Sequence, residues 1–266
     1  SGGVFRTTNG GESWTKVSPN DEIHNVTAIA QDPRPDFQNI WYYGTGEWSG
    51  NSASLGSAYR GFGIWKSIDN GINWTQISET SSVFELYDSY LDYIMALEVS
   101  PINGDLMIAA TGKISRYDGT NLVIEKESSN GGGWTDVIIN NAGVVYAAIE
   151  GESSENGVWT SQTGNGSWSR IAQNGSPSSF NSTGRTVLGT VPSNNNIIYA
   201  LYTNGDSENI EADLWQYNLE TDTWTDYSSR LPDEPGGDLR GNDPFAVQGG
   251  YDLVVSVNPR DENFVV

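Results

Sequence analysis

Five tryptophans recur along this chain, and their spacing restricts what it can fold into more than any other feature. Trp14, Trp74, Trp134, Trp168 and Trp224 stand 60, 60, 34 and 56 residues apart, each closing a turn rich in Gly, Asn, Asp and Ser. Nine residues upstream of Trp74, Trp168 and Trp224 stands another tryptophan (Trp65, Trp159 and Trp215), and Phe5 holds that offset before Trp14. Short apolar stretches lead into the first, second and fourth turns: Gly3-Val4-Phe5-Arg6, Gly63-Ile64-Trp65-Lys66 and Gly157-Val158-Trp159-Thr160. Apolar alternation on both sides of a polar turn specifies a β-hairpin, because successive strand side chains point to opposite faces.

A second pattern lies between these hairpins. Val26–Gly46, Met95–Gly112, Val187–Gly205 and Leu253–Val266 each read as an apolar strand, a turn containing proline, and another apolar strand. Pro33, Pro101, Pro192 and Pro259 mark the turns, where a fixed φ helps and a missing N–H does no harm. Asn141–Gly151 is a shorter version without its proline. Two hairpins per repeat make four strands, the make-up of a β-propeller blade. A sandwich would not alternate two hairpin types in this way.

The expected fold class is therefore all-β: a single β-propeller over residues 1–266, with about five blades' worth of sequence. Half-blades at 1–17 and 251–266 flank blades near 26–80, 95–138, 141–172 and 185–228, and the Val83–Leu97 stretch has room for one short helix. The two ends can pair to complete a fifth blade. The apolar final strand favours instead a segment of a larger propeller, since a free apolar strand invites aggregation.

Composition agrees. The chain has 266 residues, 31 Gly, 10 Trp and 13 Tyr, too aromatic for disorder. Its formal charge of −21 opposes binding to nucleic acid or to an anionic membrane. The absence of cysteine removes disulfides, thiolate metal sites and a cysteine nucleophile together. No apolar run approaches the roughly 20 residues of a membrane helix, so no membrane insertion is expected. No signal-like segment opens the sequence.

The turns resemble a known motif. Thr7-Thr8-Asn9-Gly10-Gly11-Glu12-Ser13-Trp14 and Ser67-Ile68-Asp69-Asn70-Gly71-Ile72-Asn73-Trp74 look like the Asp-box, or BNR repeat, Ser/Thr-x-Asp/Asn-x-Gly-x-x-Trp. Ser128–Trp134 is one residue short, Ser161–Trp168 has Thr163 and Asn165 at the Asp and Gly positions, and Tyr217–Trp224 reads more like a kelch hairpin. The chain resembles secreted Asp-box propellers: sialidases, xyloglucan-active glycoside hydrolases and the sortilin-like propellers of secreted bacterial proteins. That resemblance implies a secreted or cell-surface protein, with export by a type IX system in keeping with it. In the boxes, Thr7, Asn9, Gly11 and Trp14, with Ser67, Asp69, Gly71 and Trp74, are expected to be structural. The Asp or Asn holds turn amides, Gly supplies a positive φ, and Trp packs.

Catalysis is weakly encoded. The Phe/Tyr-Arg-Ile-Pro motif of sialidases is missing, since Phe5-Arg6 runs into Thr7-Thr8, and Arg6, Arg34 and Arg260 read as surface charges. A glycosidase needs two carboxylates across a cleft, one of them kept protonated. The candidates are Asp252, entering a strand that the propeller pattern puts near the axis, and Glu47, following Gly44-Thr45-Gly46 at a loop mouth. In xyloglucan-active relatives the two catalytic aspartates lie in two facing propellers, so one propeller alone would hold an incomplete site. His24 is the sole histidine, which excludes a multi-histidine zinc centre. No cofactor is implied; calcium, which needs only oxygen ligands, is compatible with the acidic loops Asp206–Asp213 and Asp233–Asp243. Trp48, Tyr59 and Phe62 on a polar loop, and Tyr87, Tyr90 and Tyr93, are the residue types that stack on sugars or anchor protein contacts. The leading expectation is a non-catalytic domain that binds carbohydrate or protein at its loop face or serves as a rigid module, with other domains or a surface assembly as further partners. The second is a glycoside hydrolase-like propeller acting on polysaccharide.

Overall fold

A computed structural model describes residues 2–20, 25–48, 58–81, 89–150, 154–206, 210–232, 247 and 252–266. The chain forms two compact units, Ser1–Lys126 and Glu127–Val266.

The first unit opens with a two-stranded hairpin, β1 (Phe5–Arg6) and β2 (Thr15–Lys16). Next comes a four-stranded antiparallel meander of β3 (Val26–Gln31), β4 (Trp41–Thr45), β5 (Ile64–Ser67) and β6 (Thr75–Gln76). A second meander holds β7 (Ile94–Val99), β8 (Leu106–Ala110), β9 (Lys113–Tyr117) and β10 (Leu122–Glu127). Among the described residues no α-helix covers these sheets; they cover each other. Ala30, Tyr42 and Ile64 of one meet Ile94, Leu97, Leu106 and Ile108 of the other in one buried cluster. Arg34 is not the free surface charge its turn suggests. Its guanidinium donates to both oxygens of buried Asp32 (3.0 and 2.7 Å) and to the Asn103 carbonyl (2.7 Å), fixing the turn after β3.

The second unit repeats the plan. β11 (Thr135–Ile139), β12 (Val145–Ile149), β13 (Gly157–Ser161) and β14 (Ser169–Ala172) form one meander. β15 (Thr186–Thr190), β16 (Ile197–Thr203), β17 (Ala212–Asn218) and β18 (Thr223–Asp226) form the other. A C-terminal hairpin joins Ser256 to Val266 by two backbone hydrogen bonds, with Val257 opposite Val265. β16 is buried on both faces. Ile198, Ala200 and Tyr202 enter the core shared with β11–β14, while Ile197, Tyr199 and Leu201 pack on Leu253, Val255 and Val257.

One expectation needs correction. The tryptophan spacing puts the second blade at 95–138, but its sheet ends at Glu127, and Thr135–Ile139 pairs along its whole length with β12. The short box before Trp134 therefore joins two sheets instead of closing a hairpin. Its Gly131 and Gly133 take φ of 75° and 110°, turning the chain out of one sheet into the next. Within Val83–Leu97, the described part holds a single 3-10 turn, Tyr90–Asp92, and then enters β7; residues 82–88, including Tyr87, lie outside the described residues.

Candidate functional site

In the first unit the chain leaves β4 through Gly46 at φ 96°, where a Cβ would stand 1.8 Å from the Asp92 carbonyl oxygen, so only glycine fits. Glu47 and Tyr59 then exchange both backbone hydrogen bonds (2.7 and 2.8 Å), an isolated antiparallel bridge at the mouth of the loop. This brings Glu47, Trp48 and Tyr59 together. Trp48 meets Tyr93 edge to face at 5.3 Å, and the Tyr59 ring is 45% exposed. Phe62, half-buried, donates its N–H to the Thr45 hydroxyl at 2.8 Å. Beneath lies a feature with no sequence signal, the fully buried Asp92 carboxylate 3.2 Å from Arg60 Nε. Asp92 also accepts the Ser89 N–H, completing a reciprocal cap on the Tyr90–Asp92 turn.

The two full boxes direct their polar atoms inward, to their own turns. Asp69 Oδ1 accepts the N–H groups of Ile72 (3.1 Å) and Asn73 (2.9 Å) and the Ser67 hydroxyl (2.8 Å), while Asn73 Nδ2 donates to Oδ2. The Asn73 amide, the Asn73 side chain and Ser67 together hold the Asp69 carboxyl down to about 2. Asn9 does the same for the Ser13 N–H (3.0 Å) and the Thr7 hydroxyl (2.8 Å), and Thr7 Oγ1 and Ser67 Oγ accept from Gly11 and Gly71. Trp74 packs edge-on against Tyr43 at 4.6 Å, whereas Trp14 is 61% exposed.

Asp252 is exposed at the start of the C-terminal hairpin. His24 and Asp233–Asp243 lie outside the described residues. In the other acidic loop, Asn204 donates to Asp213 and accepts from the Asp206 N–H. Among the described residues no three metal-ligating side chains gather. Among the described residues no helix is long and apolar enough to cross a membrane.

The second unit holds a cluster absent from the sequence-based candidates. Asp136 sits within β11, where Oδ2 accepts the Leu188 N–H of β15 (2.7 Å) and Oδ1 its neighbour's Val137 N–H (2.9 Å). Glu150, just past β12, accepts the Trp134 N–H through Oε2 at 2.7 Å. The Arg185 guanidinium lies 4.8 Å from the Trp134 ring centroid, and both carboxylates act on it electrostatically. Asp136, Glu150 and Arg185 are recessed but keep partial access to solvent. Desolvation pushes Asp136 up to about 6 and Glu150 upward, and pulls Arg185 down. The available signal was an acid inside an apolar strand, Thr135-Asp136-Val137-Ile138-Ile139.

Solved structures with a similar course of chain supply the last observation. An ancestral GH74 enzyme matches 97% of this chain at a TM-score of 0.65 and 18% identity. The GH74 xyloglucanase from Xanthomonas campestris matches 99% at 0.62 and 16%, and the GH74 enzyme of Niastella koreensis 99% at 0.61 and 17%. The fold is a β-propeller. This propeller chain spans only 30%, 38% and 37% of those three chains. No family model matches its sequence, and no curated protein matches it either.

Proposed function

We propose that this chain is a carbohydrate-binding propeller module of a secreted or cell-surface protein, without catalysis of its own. One observation carries the reading: the Glu47–Tyr59 bridge presents Tyr59 and Trp48 on a fixed floor made by Tyr93 and the buried Arg60–Asp92 pair. A rigid aromatic surface beside hydrogen-bonding groups suits a pyranose ring, and its low ordering cost favours binding. The turn geometry of Asp69 and Asn9 supports placing the chain among Asp-box propellers.

The test is binding to a panel of plant, algal and host glycans, with reducing-sugar release followed in the same wells. Binding without release, lost in Tyr59→Ala and Trp48→Ala, is the expected result; binding untouched by both variants would move the site elsewhere. The likeness to GH74 enzymes favours one other reading, a hydrolase acting on polysaccharide. Sugar release that disappears in Glu47→Gln or Asp252→Asn would establish it.

A further inference from the structure

A cleft of about 340 Å³ in the first unit takes no part in the Tyr59 surface. Phe5 and Trp14 line it from the β1–β2 hairpin, and Ile29, Trp41 and Trp74 from the sheet of β3–β6. It stands open. Phe5, Trp14 and Ile29 are 51%, 61% and 52% exposed, and among the described residues no ring or cation contacts Phe5, Trp14 or Trp41. The β5–β6 hairpin has the same register, Trp65 opposite Gln76 as Phe5 is opposite Lys16, but its two aromatics are covered. Tyr43 stacks on Trp65 at 6.0 Å and meets Trp74 edge-on at 4.6 Å. Among the described residues Arg6 is the one charged side chain lining the cleft, and its guanidinium enters no ion pair, hydrogen bond or ring contact. Asp69, in the box that contributes Gly71 to the cleft wall, spends its oxygens on its own turn.

We propose that this cleft is a binding site for a small aryl carboxylate, with the ring against Phe5, Trp14 and Trp41 and the carboxylate on Arg6. The ligand ring does for Phe5 and Trp14 what Tyr43 does for Trp65 and Trp74, through the offset or edge-on contacts that aromatic pairs prefer. An arginine fork matches a carboxylate with two parallel hydrogen bonds. Charge narrows the class. A chain with 34 acidic and 13 basic side chains leaves this cation without a carboxylate among the described residues, so it attracts a single anionic group. A polyanion would meet the repulsion of the remaining surplus. The volume lies within the roughly 300–1,000 Å³ of small-molecule sites. The site uses neither Tyr59 nor Trp48, so it stands or falls independently of the glycan reading.

Calorimetric titration of the whole chain with hydrocinnamate, its methyl ester and cyclohexylpropionate tests this, because the ester removes the charge and the cyclohexyl acid removes the aromatic ring. Hydrocinnamate binds with a Kd below about 1 mM, and each analogue binds at least fivefold more weakly. Arg6→Gln and Trp14→Ala each weaken hydrocinnamate more than fivefold. Neither side chain bonds another described residue, so both variants are expected to keep the wild-type urea midpoint. Tyr59→Ala leaves this binding unchanged, which separates the two sites. The proposal is overturned if hydrocinnamate does not bind, if either analogue binds as well, if either substitution in the cleft changes affinity less than fivefold, or if Tyr59→Ala abolishes binding.

Discussion

Tyr146 carries a hydroxyl into the core of the second unit, where it is fully buried and no hydrogen-bond partner meets it among the described residues. A buried polar group without a partner costs about 1–3 kcal/mol of desolvation. Tyr146→Phe keeps the ring contact with Tyr217 and removes only the oxygen. It should therefore raise stability by about 1 kcal/mol in urea denaturation, and a loss of that size would reveal an ordered water on the hydroxyl. Asp136 poses a different problem: its carboxyl accepts two backbone N–H groups, yet desolvation still outweighs them. Its folded pKa is raised to about 6, so the folded chain holds the proton more tightly than the unfolded chain does. The sign follows: this residue's cost is absent below about pH 4, grows as pH rises, and is complete above about pH 6. A rise of that size corresponds to about 3 kcal/mol, which partial solvent access reduces to roughly 1–2 kcal/mol. Asp136→Asn should remove that decline when urea stabilities at pH 4.5 and 7.5 are compared with wild type. An unchanged slope would place the titration elsewhere.

Strands and turns reveal what sequence can and cannot specify. The hairpins around Trp14 and Trp74 are legible because glycine, asparagine or aspartate and an aromatic at fixed offsets satisfy local needs within a few residues. Assignment of Thr135–Ile139 to its sheet is not local. Those residues pair equally well, by pattern, with either neighbour, and burial against β15 decides it. Contacts between sheets are similarly invisible in the sequence. Gly44 in β4 has an ordinary strand backbone, yet a Cβ there would lie 2.3 Å from Ile94 Cγ2 and 2.7 Å from Ile94 Cβ. Gly44→Ala should therefore cost about 1–3 kcal/mol by overpacking. Ile94→Ala alone should cost about 2–5 kcal/mol, because Ile94 is fully buried. The double variant should be more stable than the sum of the singles predicts, by at least about 0.5 kcal/mol in a double-mutant cycle. Strict additivity would show that the sheets shift apart to admit the methyl group.

At the scale of the whole chain, repetition made the propeller readable, since each sheet must bury its faces on another sheet and the apolar pattern must therefore recur. The sites were less readable because they depend on which loop ends converge. Asp92 and Arg60, 32 positions apart, become an ion pair, and Glu150 reaches back to Trp134 across a hairpin. Net charge is the property that no local element explains. With 34 acidic and 13 basic side chains, self-repulsion opposes the compact state, and added salt screens it over a Debye length of about 10 Å at 0.1 M. Salt also weakens attraction, but burial limits that loss: Arg34–Asp32, Arg60–Asp92 and the Arg116 pairs with Asp105 and Glu125 are largely shielded from solvent. Buried pairs are screened far less than exposed charges. Repulsion should dominate the response, so the thermal midpoint should rise by a few degrees between 10 mM and 500 mM NaCl at pH 7. Lowering the pH toward 4.5 at low salt should shrink that rise as carboxylates gain protons. A midpoint that falls with salt would mean that attractive networks among the acidic and basic side chains outweigh a surplus of 21 negative charges.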